Sequence, residues 1–165
     1  MTENGQYERI LDQNERFAEA FDRSALTAAP LTGLAILTCM DARIDVEDAC
    51  GLRVGDAHII RNAGALASDD VIRSLVVSQQ LLGTREIVVI GHTRCGLHGA
   101  DDTVLREQVE LTTGFDTDMG FGAFADLDAM VREQVELLRD EPALLDVPVH
   151  GLVYEVETGR LRPVT

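Results

Sequence analysis

The chain has no lysine. All 14 of its cations are arginines, set against 29 acidic residues, for a formal net charge of −15. An acid-rich surface of this kind repels phosphate backbones and anionic headgroups, which argues against nucleic acid and membranes as partners. The balance fits either a GC-rich genome or adaptation to high salt, where acidic self-repulsion is screened. No apolar run approaches the roughly 18 to 20 residues needed to cross a bilayer. The stretch MTENGQYERILDQNERF is polar and acidic, without the basic and apolar regions of a secretion signal. A cytoplasmic protein is expected.

Cysteine is scarce as well, at Cys39, Cys50 and Cys95. There is no C-x-x-C, which excludes a thioredoxin-type redox pair. An odd count without a secretion signal points to metal binding or catalysis rather than to disulfides. Cys50 precedes Gly51 in a short predicted helix and reads as a small buried hydrophobe.

What is present suits one domain over residues 1–165. The chain is 45% hydrophobic and 26% charged, the range of a globular protein with a real core. Residues 1–29 read as an N-terminal helical arm: Ile10, Leu11, Phe17, Ala18 and Phe21 lie among charges from Tyr7 to Asp22. Pro30 separates this arm from the rest, and its narrow apolar stripe suits packing on a neighbouring chain.

Beyond Pro30, strands and helices alternate. Gly33–Thr38 is continuously apolar, the pattern of a strand covered on both faces. Asp45–Gly51 has acids in its first turn and glycine at its end, a short helix. Asp56–Ile60 is a second strand, followed by Arg61-Asn62-Ala63-Gly64. Ser68–Leu82 is a helix with Ser68 as N-cap and Gly83 beyond its end, apolar around much of its circumference. Glu86–Ile90 is a third strand. Asp101–Leu111 is a helix, 112–122 a glycine-containing loop, and Phe124–Arg139 a helix with Phe124, Leu127, Val131, Val135 and Leu138 on one face. Two strands, 149–156 and 160–164, flank the turn Glu157-Thr158-Gly159. The expected fold is α/β: a mostly parallel central sheet with helices on both faces and an antiparallel C-terminal edge strand.

The chemistry gathers at two strand ends. Cys39-Met40-Asp41-Ala42-Arg43 follows the first strand, and Gly91-His92-Thr93-Arg94-Cys95-Gly96 follows the third. In open α/β sheets ligands bind at the carboxyl ends of the strands. If the two strands are neighbours, two thiols and one imidazole converge. Cys2His with an open fourth position is a catalytic zinc pattern; two buried thiols beside a strand-end histidine are the bland alternative. Asp116-Thr117-Asp118-Met119-Gly120 imitates a calcium loop but lacks its bidentate Glu, with Leu127 in that place. His98 lies near enough to relay protons or to compete with His92 as ligand. His58 and His150 begin strands and read as solvated or locally bonded.

Cys39-x-Asp41-x-Arg43, Arg61-Asn62-Ala63-Gly64 and Gly91-His92-x-x-Cys95-Gly96 together resemble the β-class carbonic anhydrases of compact prokaryotic type. The resemblance covers about residues 33 to 100. It implies a zinc lyase that hydrates carbon dioxide reversibly to bicarbonate by zinc-bound hydroxide. It implies Zn2+ held by Cys39, His92 and Cys95, with Asp41 and Arg43 as a catalytic dyad. Asp41 then either orients the hydroxide or, freed from Arg43, becomes a fourth metal ligand. A homodimer or higher homo-oligomer is implied too, with the site near the interface. Two positions depart from the family pattern: Ala42 stands where Ser is common, and 30–38 contains no Gln. Carbonyl sulfide or carbon disulfide hydrolysis on the same fold, or a non-catalytic zinc or bicarbonate-binding module, are the alternatives.

Overall fold

The computed structural model describes residues 5–164; Met1 to Asn4 of the expected arm, and Thr165, lie outside the described residues. A five-stranded sheet organises the rest, in the order β2-β1-β3-β4-β5. The elements run α1 (Gln6–Glu19), β1 (Leu34–Cys39), α2 (Val46–Cys50), β2 (Ala57–Asn62), α3 (Asp69–Gln80) and β3 (Glu86–His92). Then come α4 (Asp102–Thr113), α5 (Leu127–Asp140), β4 (Val149–Glu155) and β5 (Arg160–Val164). The first four strands of the sheet pair in parallel and β5 closes it antiparallel, as the alternating pattern predicts.

β1 lies at the centre of the parallel part. Its residues Ala35 to Cys39 are buried without a break, which is why its apolar run shows no alternation. Ala35 and Leu37 face one core with Ile87, Val89 and the inner sides of α3 and α5, while Ile36 faces a second with Ile90, Ile44 and Val46. On that second face the short α2 supplies the helical cover. Asp45 caps α2 by accepting the Asp48 N–H (3.0 Å), and Gly51 ends it in the left-handed region at φ +65°.

Helix α5 packs unusually close to the sheet. A Cβ at Gly91 would stand 2.6 Å from Val131 Cγ2, and one at Gly151 would stand 2.9 Å from Val131 Cγ1. Val131 therefore sits in a hollow made by two glycines on adjacent strands. The helix begins later than its apolar pattern suggests. Asp126 accepts the Ala129 N–H and sets the start, so Phe124 falls outside it. Phe124 instead forms an isolated bridge with His98 and stacks on its ring at 5.3 Å. α4 extends to Thr113, two residues into the expected loop.

Apolar surface on α1 and at the end of α3 lacks cover among the described residues. α1 has no buried residue, and Tyr7, Ile10, Leu11, Phe17 and Phe21 are exposed. On α3, Val71 and Leu75 are buried, but Val77 and the following Leu81 are exposed. The segment between α1 and β1 is tied down by His58, whose ring nitrogens lie 2.8 Å from the Ala28 carbonyl oxygen and 2.7 Å from Ser78 Oγ.

The close seat of α5 makes a direct prediction. Gly91→Ala should lower the unfolding free energy by roughly 1–3 kcal/mol, the usual range for overpacking. Urea denaturation would show this as a lower midpoint at unchanged slope; an unchanged midpoint would mean that α5 is free to move away.

Candidate metal centre

Parallel pairing of β1 with β3 matches Thr38 to Ile90, and the Thr38 hydroxyl donates to the Ile90 carbonyl at 2.9 Å. The next residue of β1 is Cys39, and two residues beyond Ile90 is His92, the last residue of β3. The chain then turns and returns Cys95 to the same place. The Sγ atoms of Cys39 and Cys95 and a ring nitrogen of His92 all lie within 4.8 Å of one another. The three residues are 5%, 7% and 1% exposed. His98 is not in this group; its Nε2 lies 3.1 Å from the Ala125 carbonyl oxygen.

The histidine is oriented for ligation. Its Nδ1 lies 2.9 Å from the Thr93 carbonyl oxygen, which can only accept, so Nδ1 carries a proton and in the neutral ring Nε2 holds the lone pair. Among the described residues, Nε2 is a buried side-chain atom with no hydrogen-bond partner. A buried polar atom without a partner is costly, and a cation between it and the two sulfurs would satisfy it. The donor set therefore fits a metal ion.

Electrostatics favour a thiolate at one of the two sulfurs. Burial opposes the Cys39 thiolate, but His92 beside it and the Gly64 N–H, donating at 3.4 Å, prevail, and the thiol is pulled down to about 7. Burial pushes the Cys95 thiol up. At His92 burial works against the imidazolium, yet the neighbouring Cys39 raises the ring above its ordinary value.

Asp41 and Arg43 form a forked pair at the mouth of the cluster. Arg43 donates from Nε to Asp41 Oδ1 (2.9 Å) and from Nη2 to Oδ2 (2.7 Å), and its backbone N–H also donates to Oδ1 (2.9 Å). These contacts hold the Asp41 carboxyl well below the usual carboxylate range. Asp41 Oδ2 lies 3.9 Å from His92 Nε2. In this structure Asp41 thus stands beside the Cys39–His92–Cys95 group, engaged with Arg43. A cavity of about 640 Å³ opens here, its walls including Met40, Ala42, Ala63, Gly64 and Leu97.

The 61–64 motif turns out to be a brace. Arg61 donates to three carbonyls of the 39–44 loop: Cys39 (2.9 Å), Asp41 (2.7 Å) and Ile44 (3.2 Å). Asn62 closes the next turn by bonding both the N–H and the C=O of Leu66. Gly64, at φ +83° with Leu97 close to where a Cβ would stand, brings its N–H to the Cys39 sulfur. The motif is visible in the sequence, but Arg61 and Gly64 act on the 39–44 segment, 17 to 25 residues earlier in the chain.

A family model for carbonic anhydrase matches residues 34–114. Beta-carbonic anhydrase 1 of Mycobacterium tuberculosis is 38% identical over 156 residues, 94% of this chain and 95% of that one. The crystal structure of carbonic anhydrase from Streptococcus mutans superposes with a TM-score of 0.93 at 41% identity, covering 98% of this chain and 99% of that one. A carbon disulfide hydrolase of Acidithiobacillus thiooxidans is 39% identical over 78% of this chain and 75% of its own length. Fold and donor set define a metal-binding α/β protein with its site at the carboxyl ends of two parallel strands. The chain belongs to the β-carbonic anhydrase family.

Arg61→Met keeps the side chain's apolar stem but removes its donors to three carbonyls. It should cost about 2 kcal/mol, given the usual worth of charge-assisted hydrogen bonds and the partial exposure of the guanidinium. Urea denaturation would measure it, and no loss would mean that the 39–44 loop holds its shape without the brace.

Proposed function

We propose that the chain catalyses the reversible hydration of carbon dioxide to bicarbonate, with zinc held by Cys39, His92 and Cys95. The observation that carries this is the buried Nε2 of His92, without a hydrogen-bond partner among the described residues and within 4.8 Å of two sulfurs, a donor set that zinc takes. Zinc there would supply a Lewis acid that lowers the pKa of water, less strongly than in an all-histidine site because two thiolates offset its charge.

The chain's own residues do the rest. Thr93 fixes the imidazole by its carbonyl. Arg43 keeps Asp41 ionised and holds its Oδ2 3.9 Å from His92 Nε2, where it could accept a hydrogen bond from a water at the donor set. Freed from Arg43, the same carboxylate would be able to serve as a fourth donor to the metal in place of water. Arg43 therefore decides which role Asp41 takes.

The exposed apolar face of α1, and Val77 with Leu81, support a homodimer or higher homo-oligomer in which the arm covers a neighbour. No helix among the described residues is long and apolar enough to cross a membrane, and we place the enzyme in the cytoplasm. Carbon disulfide or carbonyl sulfide hydrolysis is a second reading, favoured by the similarity to carbon disulfide hydrolases. A non-catalytic zinc or bicarbonate-binding module is the third.

Stopped-flow proton release with carbon dioxide, run beside sulfide release from carbonyl sulfide and carbon disulfide, distinguishes these. The expected result is proton release that a strong chelator abolishes and added zinc restores. Sulfide release alone would move the chain to the hydrolases, and neither activity with zinc bound would leave the binding module. In the same assay the wild-type rate should rise toward alkaline pH; a profile already flat from about pH 6.5 would contradict the weakened Lewis acid. Arg43→Ala should cost about tenfold or more at neutral pH, the usual effect of losing an outer partner of a metal site. Full activity in that variant would remove Arg43 from its role.

A further inference from the structure

We propose that Glu157, on the turn between β4 and β5, is a positioning residue for the metal centre. It acts as a clamp through Thr93 on the His92–Cys95 turn. This rests on the zinc reading above and extends it to a residue sixty-four positions from Thr93.

The hairpin does not need this side chain. Its turn is closed by the N–H groups of Thr158 and Gly159, both donating to the Glu155 carbonyl at 3.1 and 2.8 Å, with Gly159 in the left-handed region at φ +71°. The Thr158 hydroxyl donates to the Glu155 carboxylate at 2.8 Å. The Glu157 carboxylate points elsewhere. Its Oε2 accepts the Thr93 hydroxyl at 2.8 Å, and its Oε1 pairs with the Arg94 guanidinium. The Thr93 hydroxyl in turn accepts the Val156 N–H at 3.1 Å, and the Thr93 N–H donates to the Tyr154 carbonyl at 3.0 Å. Thr93 is thus gripped by side chain and backbone from one hairpin.

Each gripped residue carries a carbonyl that the site uses. The Thr93 carbonyl takes the proton-bearing nitrogen of His92 and so sets the ring. The Arg94 carbonyl accepts from Arg43 Nη2 at 3.0 Å, which ties the turn to the guanidinium that holds Asp41. Arg94 itself stands at φ +53°, a backbone conformation that L-residues avoid. Pairing its side chain with Glu157 helps to keep it there. The Arg94–Glu157 pair is exposed, and exposed ion pairs add little to global stability. The consequence of losing the clamp therefore belongs to the ligand turn, as outer partners of metal ligands commonly show.

The test uses the zinc-loaded full chain and follows zinc release to a chromophoric chelator. Wild type should release zinc slowly. Glu157→Ala and Thr93→Val should each speed release about tenfold. The double variant should release zinc clearly more slowly than the product of the two single effects, because both remove the Thr93–Glu157 link. Glu157→Gln keeps an acceptor for the Thr93 hydroxyl; it should restore most of the wild-type rate and is the milder variant should Glu157→Ala fold poorly. With cobalt in place of zinc, the visible spectrum should change in Glu157→Ala and return in Glu157→Gln. Release rates within about twofold of wild type in both single variants, or a double variant that multiplies their effects, would overturn the clamp. A wild-type chain that retains no zinc would take the zinc reading down with it, which is a separate and recognisable result.

Discussion

The register of β1 against β3 is the constraint on which the rest depends. With Thr38 opposite Ile90, Cys39 and His92 end their strands within reach of each other. A one-residue slip would move Cys39 by about 3.3 Å and turn its side chain to the other face of the sheet. That register is specified twice. The two faces of β1 fit two different cores, and the buried Thr38 hydroxyl is bonded to the Ile90 carbonyl. A hydroxyl in this buried strand is thus not a lapse in an apolar run but a lock on the pair of strands that brings Cys39 and His92 together.

Gathering two thiols and an imidazole in a dry site is unfavourable before a metal arrives, and the surroundings offset this from several directions. Arg61 holds the loop beyond Cys39 by its carbonyls. Gly64 donates to the Cys39 sulfur. The C-terminal hairpin holds Thr93 and Arg94. Most of these contacts involve backbone groups on at least one side. The donor set is consequently shaped by the fold as a whole, with each ligand's local chain segment pinned by a segment distant in sequence.

This explains which features could be read from the sequence. β1 announces itself by an unbroken apolar run, α2 by its acidic start and terminal glycine, and the hairpin by Glu157-Thr158-Gly159; these signals are local. Phe124 was misplaced because apolar spacing continues across Asp126, while the side-chain cap at Asp126 decides where the helix begins. Cys39, His92 and Cys95 were legible from residue type, spacing and strand context, strengthened by the resemblance. Their supports were not. Nothing in a sequence indicates that Arg61 will find three carbonyls, or that Glu157 will reach Thr93 rather than close its own turn.

The Asp41–Arg43 pair joins these two levels. Arg43 holds Asp41 on one side and the Arg94 carbonyl on the other, so it links the loop after Cys39 to the turn before Cys95. Moving Asp41 away would break the forked contact, but the bond to Arg94 would still keep the guanidinium in place to take the carboxylate back. In this structure the carboxylate is ionised and held in one position by that guanidinium. Because the guanidinium is also bonded to the turn that carries Cys95, the geometry of that turn bears on where Asp41 is held. Arg43 therefore couples the control of the carboxylate to the support of the Cys95 turn, which the hairpin holds from its other side.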